Sequence, residues 1–116
     1  MIHQARFVKE SFGDRFPLYS GEKFTKSWTF RNGGDQDWPE DTLFIQTNGD
    51  DFKAQPQSIN KLVKPGQEVE VTVQMEAPQA PGNYISFFRF VHGDNNRFGQ
   101  KVWCDILVKA APVQLP

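Results

Sequence analysis

Catalysis needs a nucleophile, an acid–base group or a set of metal ligands, and this chain of 116 residues offers few of them. Its one cysteine is Cys104, and its two histidines are His3 and His92. A nucleophilic site requires nucleophile, base and orienting group in one pocket. Cys104 falls in the apolar parity Val102, Cys104, Ile106, Val108, where a buried thiol is inert. His3 stands near the chain start, and a Cys104–His92 pair would require a loop to fold over a core position. Two histidines and one cysteine also lack zinc-site spacing. Acids gather at Asp35, Asp37, Glu40 and Asp41 and again at Asp50-Asp51. Paired carboxylates can perform acid–base work, and loop carboxylates can hold calcium. Trp38-Pro39 splits the first group and the glycine spacing of a calcium loop is missing, so both read as solvated loop charges. No catalytic residue, metal site or cofactor is expected.

What remains is recognition. Phe87 and Trp103 could stack single-stranded bases, but such platforms sit in positive grooves. Thirteen Lys and Arg against fourteen Asp and Glu leave a formal net charge of −1, which argues against nucleic acid and against an anionic membrane surface. No apolar run reaches the twenty or so residues of a membrane span, and Met1 to Arg6 carries no signal-peptide stretch. Trp103-Cys104-Asp105-Ile106 and Phe88-Arg89-Phe90-Val91 match the aromatic-x-x-aliphatic pattern of peptides that bind ubiquitin-like autophagy proteins. Those peptides must be exposed and flexible, whereas both matches fall within strands and read as coincidence. A single cysteine and the absence of an Asn-x-Ser/Thr sequon fit a reducing compartment, here expected to be the cytoplasm.

The elements that must position these residues are strands. The chain is 38% hydrophobic and 14% aromatic, with eleven Phe, three Trp and two Tyr, which suits pleated surfaces. Nothing repeats at three and four over helical length. Turn residues at Ser20-Gly21, Asn32 to Asp35, Asn48 to Asp51, Lys64-Pro65-Gly66 and Ala77 to Gly82 break the chain into runs of strand length, and Phe16-Pro17 reads as a further break. Val69, Val71, Val73 and Met75 alternate with polar residues in Glu68 to Glu76. Phe24, Trp28 and Phe30 share a face of Glu22 to Arg31, with Lys26 laying its stem along that face and its amine at the rim. Gln4 to Glu10, Thr42 to Thr47 and Gln57 to Val63 are weaker strands. Gly82 to Val91 and Gly99 to Lys109 form a hairpin through His92 to Phe98. Its purely apolar parities, with Phe88 and Cys104, should face the core. Its mixed parities put Ile85, Phe87, Val91, Trp103 and Leu107 outside, with Arg89, Lys101 and Asp105 between.

The stretch Phe24 to Pro39, FTKSWTFRNGGDQDWP, adds a specific pattern: Trp28 within a strand, Asn32-x-Gly34 at a turn, and Trp38 opening the next strand. With Ala77-Pro78, Gly82-x-Tyr84, Phe98-Gly99 and Val102-Trp103, it resembles the four-tryptophan (FW) domain, the immunoglobulin-like module of neighbour-of-Brca-one selective autophagy receptors. The similarity runs from about Phe7 to Val108. The family's tryptophans fall on Trp28, Trp38, Phe88 and Trp103, so Phe88 departs from the pattern as a smaller aromatic.

The expected fold is an all-β, immunoglobulin-like antiparallel sandwich of about seven strands. One domain should span 4–109, with 1–3 and 110–116 as flexible termini or linker. Trp28 is expected in the core and Trp38 as a plug at one end. The resemblance implies a noncatalytic module that docks protein cargo or clients within a larger multidomain receptor or scaffold. The expected partner surface is the outer hairpin face, with Ile85, Phe87, Arg89 and Trp103 as anchors and Asn95 and Arg97 adding polar contacts. The loops Asn32 to Asp37 and Gly93 to Arg97 offer the alternative of an end pocket for a peptide terminus. A ligand-free spacer and a carbohydrate-binding sandwich are the rival readings.

Overall fold

The computed structural model describes residues 3–112. Of the stretches expected as linker, residues 1, 2 and 113–116 lie outside the described residues. The chain forms eight strands: β1 (Ala5–Glu10), β2 (Phe16–Tyr19), β3 (Lys23–Asn32), β4 (Leu43–Gly49), β5 (Gln57–Ser58), β6 (Glu68–Glu76), β7 (Gly82–His92) and β8 (Asn96–Lys109). A three-stranded sheet has the order β1-β3-β6, and a five-stranded sheet the order β2-β8-β7-β4-β5. The immunoglobulin-like sandwich is present, with the expected hairpin as β7–β8.

Where alternation is strict, the strands fall as expected. β6 buries Val69, Val71, Val73 and Met75 and exposes the residues between them, and it pairs with β3 from Lys23↔Glu76 to Arg31↔Glu68. The turn Lys64 to Gln67 closes with a 2.9–3.0 Å pair of bonds, Gln67 N to Lys64 O and Lys64 N to Gln67 Oε1, around Gly66 at φ 85°. Between the sheets, aromatic rings form one continuous column. Trp28 lies 5.3 Å from Phe44 and 5.1 Å from Phe88 between ring centroids, and Phe30 meets Phe90 edge-on at 4.8 Å. Trp38 closes the column at 4.8 Å from Phe90 and 5.6 Å from Phe98, its indole N–H donating to Gln4 O at 2.9 Å. Asn32 locks the turn above it. Its amide donates to Gln36 O and Val63 O, and its carbonyl accepts from Gly34 N.

Three expectations are corrected. Phe16-Pro17 is not a break but the start of β2, which pairs in parallel with Ile106–Lys109 of β8. Proline is tolerated there because β2 lies at the sheet edge. After β1 the chain turns through Ser11 to Arg15, the last at φ 57°, and crosses from the three-stranded to the five-stranded sheet. The strand expected over Gln57 to Val63 shrinks to Gln57–Ser58. Lys26 does not reach a rim. The residue is fully buried, with its ammonium 2.6 Å from Glu10 Oε1 and 3.1 Å from the Trp103 carbonyl, and 4.7 Å from the centroid of the Phe12 ring. A lysine on an apolar face can be enclosed when a carboxylate and a strand-edge carbonyl both meet it.

The following measurements test this core. Trp28→Ala should lower unfolding free energy in denaturant by about 3–5 kcal/mol, and a loss under ~1 kcal/mol would contradict its central packing. Glu10→Ala leaves the Lys26 ammonium unmatched and should cost roughly 1–3 kcal/mol, discounted because the Glu10 side chain is 31% exposed. Lys26→Met, which removes the enclosed charge, should cost less than Glu10→Ala. Burial pushes the Cys104 thiol from 9.0 up to about 12, so the folded chain should resist iodoacetamide at pH 8. Above pH 9.0 the unfolded thiol ionises while the native one keeps its proton, so stability should fall by up to ~1.4 kcal/mol per pH unit until about pH 12.

Candidate functional site

The residues considered for chemistry are dispersed. Cys104 is buried opposite Ser86, whereas His92 pairs with Asn96 at the far end of the hairpin. The His92 ring instead meets His3 edge-on at 5.2 Å, and burial together with the His92 charge lowers the His3 pKa below its ordinary value. Of the loop acids, Asp41 accepts from Gly93 N and Asp50 from Ile85 N, tying separate segments together, and Asp51 accepts from Lys53 N within its own turn. No group of three or more His, Cys, Asp or Glu able to hold a metal occurs among the described residues.

Ile85, Phe87, Arg89 and Trp103 do come together, because the core parity of β7 and β8 turns the opposite parity outward. Ile85 pairs with Asp105, and Phe87 with Trp103. The Phe87 and Trp103 rings lie 6.5 Å apart, and the Lys101 ammonium lies 4.6 Å from the centroid of the Phe87 ring. Trp103 is 43% exposed, yet its indole N–H donates to Asp14 Oδ1 at 3.0 Å, which fixes the ring. Arg89 is held by a 2.8 Å bond from its guanidinium to Gly99 O, while its Nε has no partner among the described residues. That bond depends on an irregularity between Phe88 and Phe90 where the β8 register slips, with Gly99 at φ 78°. A Cβ on Gly99 would lie 2.6 Å from that of Ala5.

Asn95 and Arg97 lie elsewhere. Asn95, at φ 67°, forms the hairpin tip, and Arg97 pairs with Val91. Trp103 stands six strand steps beyond Arg97, about 20 Å at the rise of a strand. Val91, expected outside, is buried. Leu43 and Ile45 of β4 extend the face instead, pairing with Val91 and Arg89. Their alternation with Phe44 was the signal for them. Trp28 and Trp38 are core, as is Phe88, which stacks on Phe44 at 5.5 Å. The end beneath the loops Asn32 to Asp37 and Gly93 to Arg97 is filled by Trp38 and Asn32.

Residues 11–108 match the family model of the Ig-like domain from next to BRCA1 gene. The chain is 38% identical over 92 residues to the Arabidopsis thaliana Protein NBR1 homolog, covering 76% of this chain and 13% of that protein. It is 35% identical over 92 residues to Solanum tuberosum Protein JOKA2, covering 76% and 11%. With Danio rerio Protein ILRUN it shares 28% identity over 86 residues, covering 74% and 30%. The chain therefore spans about an eighth of the two plant relatives and under a third of the fish one. With a sandwich of this topology and a family match over residues 11–108, the chain belongs to the Ig-like domain family from next to BRCA1 gene.

Proposed function

We propose that the chain is a noncatalytic protein-interaction module whose outer β7–β8 face docks a cargo or client protein. The observation that carries this reading is the cluster of Ile85, Phe87, Arg89 and Trp103, with Trp103 held rigid and 43% exposed. A large aromatic fixed in one rotamer loses little entropy on binding, and aromatic and Arg groups supply most hot spots. Arg89 and Lys101 give the patch a positive side; Asp105 gives it a negative one. The similarity to the plant NBR1 homolog and JOKA2 favours work inside a longer, multidomain, cytoplasmic receptor or scaffold of the selective-autophagy type. Further domains would then add avidity through effective concentration. The net charge of −1 supports protein partners over nucleic acid, and no helix among the described residues is long and apolar enough to cross a membrane. Asn95 and Arg97 serve as separate polar contacts at the hairpin tip.

Affinity purification from cytosolic lysate with the folded chain as bait tests the assignment. Phe87→Ala and Trp103→Ala, each confirmed folded by circular dichroism, should weaken capture of the principal partner by about 30-fold or more, the scale of a 2 kcal/mol hot spot. Asn95→Ala and Arg97→Ala should weaken it by less than about fivefold. Capture unchanged in both aromatic variants would refute the face.

A further inference from the structure

One long side of the sandwich is closed by side chains and not by a strand ladder. β8 pairs with β7 along one edge, but along the other it meets β2 only from Ile106 onward. Gln100 to Asp105 therefore have no strand on that side. β1 pairs only with β3. No backbone hydrogen bond joins β1 to β8 among the described residues, and side chains span the seam instead. Phe7 N donates to Gln100 Oε1 at 2.6 Å, and the Lys26 ammonium reaches the Trp103 carbonyl. Between them lies a cleft of about 220 Å³ whose walls include Phe7, Trp28, Val102 and Trp103.

We propose that this seam is a docking site for an extended segment of a partner protein. The segment is added as a strand along Gln100–Trp103, and one large apolar side chain sits between Phe7 and Trp103. The inference rests on the reading of the chain as an interaction module, but not on the outer face as its surface.

Three observations select that occupant. First, the Lys26 bond shows that the Trp103 carbonyl is directed at the seam rather than at β7, and Lys101 shares its parity. The Trp103 carbonyl is held by Lys26, which an entering strand must displace, whereas Lys101 is paired with neither β7 nor β2, and an edge of that kind is matched by another backbone in extended form. Second, the cleft is smaller than the roughly 300–1,000 Å³ of small-molecule sites and suits one side chain of leucine or phenylalanine size. It is also 40% exposed Phe7 and 43% exposed Trp103 that flank it, so the apolar walls are open to an entering group. Third, Glu10 is engaged by Lys26, whereas Lys101 makes no ion pair among the described residues and lies over Phe87 on the outer face. Because successive strand residues point to opposite faces, the residue next to the buried anchor emerges beside Lys101. The segment is thus an apolar anchor with an adjacent Asp or Glu.

The test is titration of the ¹⁵N-labelled chain with capped heptapeptides. Each is threonine throughout except a central Phe, Leu or Trp and an Asp on one side of it. Amide signals of Phe7 and of Gln100 to Trp103 should shift, and the Trp103 amide should exchange more slowly. Lys101→Pro, which removes an edge donor, and Phe7→Ala, which removes a wall, should each weaken binding about tenfold. Leu62→Ala, on an exposed loop residue, should leave it unchanged. If Lys101→Pro loses its amide dispersion, peptides N-methylated at alternate amides replace it, with the same loss expected. The seam is refuted if no peptide shifts those amides up to its solubility limit, if the shifts fall on Ile85 and Ile45 instead, or if N-methylation leaves affinity unchanged. Should the peptides fail while lysate capture still depends on Phe87 and Trp103, the seam is wrong and the module reading stands.

Discussion

The ring column between the sheets governs the rest of the molecule. Trp28 and Phe30 from one sheet interleave with Phe44, Phe88 and Phe90 from the other, and Trp38 seals the end. Rings of this size bury large area and prefer tilted or edge-on approach, so they set both the spacing of the sheets and the register of their strands. A slip of one residue in β7 would send Phe88 and Phe90 to solvent. With that register fixed, the opposite parity has one place to go, and Ile85, Phe87 and Arg89 emerge side by side. The outer face is a by-product of the packing inside.

The one charged group admitted to the interior among the described residues closes an edge. Lys26 stands within an apolar strand, but its ammonium satisfies a carbonyl that no neighbouring strand reaches, and Glu10 balances its charge. Gln100 does the same for the backbone N–H of Phe7. These side chains take the place of ladder bonds along the gap between β1 and β8. A seam closed by side chains is more readily reopened than one closed by backbone, because only rotamers must change.

Local alternation made much of this fold legible in the sequence. β3, β6, β7 and β8 follow from period-two runs, and Trp28 from its place among Phe24 and Phe30. The aromatic and turn pattern around Asn32 and Trp38 identified the family. β2 was hidden because its strand character comes from Ile106 to Lys109, ninety residues away in the chain, while its own Pro17 argues for a turn. The burial of Lys26 was hidden for a related reason: Glu10 and the Trp103 carbonyl that enclose it belong to two other strands. Within the candidate site, Ile85, Phe87, Arg89 and Trp103 could be grouped by parity alone. Asn95 and Arg97 could not be separated from them, since membership of one hairpin does not report distance along it. Asp14 and Phe7 were invisible as neighbours of Trp103, because only the crossing of the chain between sheets brings them there.

That crossing also determines how the domain bears tension. β2 and β8 run in the same direction, from Phe16↔Ile106 to Tyr19↔Lys109. Force that enters β2 at Phe16 and leaves β8 at Lys109 pulls the two strands in opposite senses along their length. Their hydrogen bonds are then loaded together in shear instead of being unzipped one after another. Loaded in this way, the β2–β8 pair holds until several bonds fail at once.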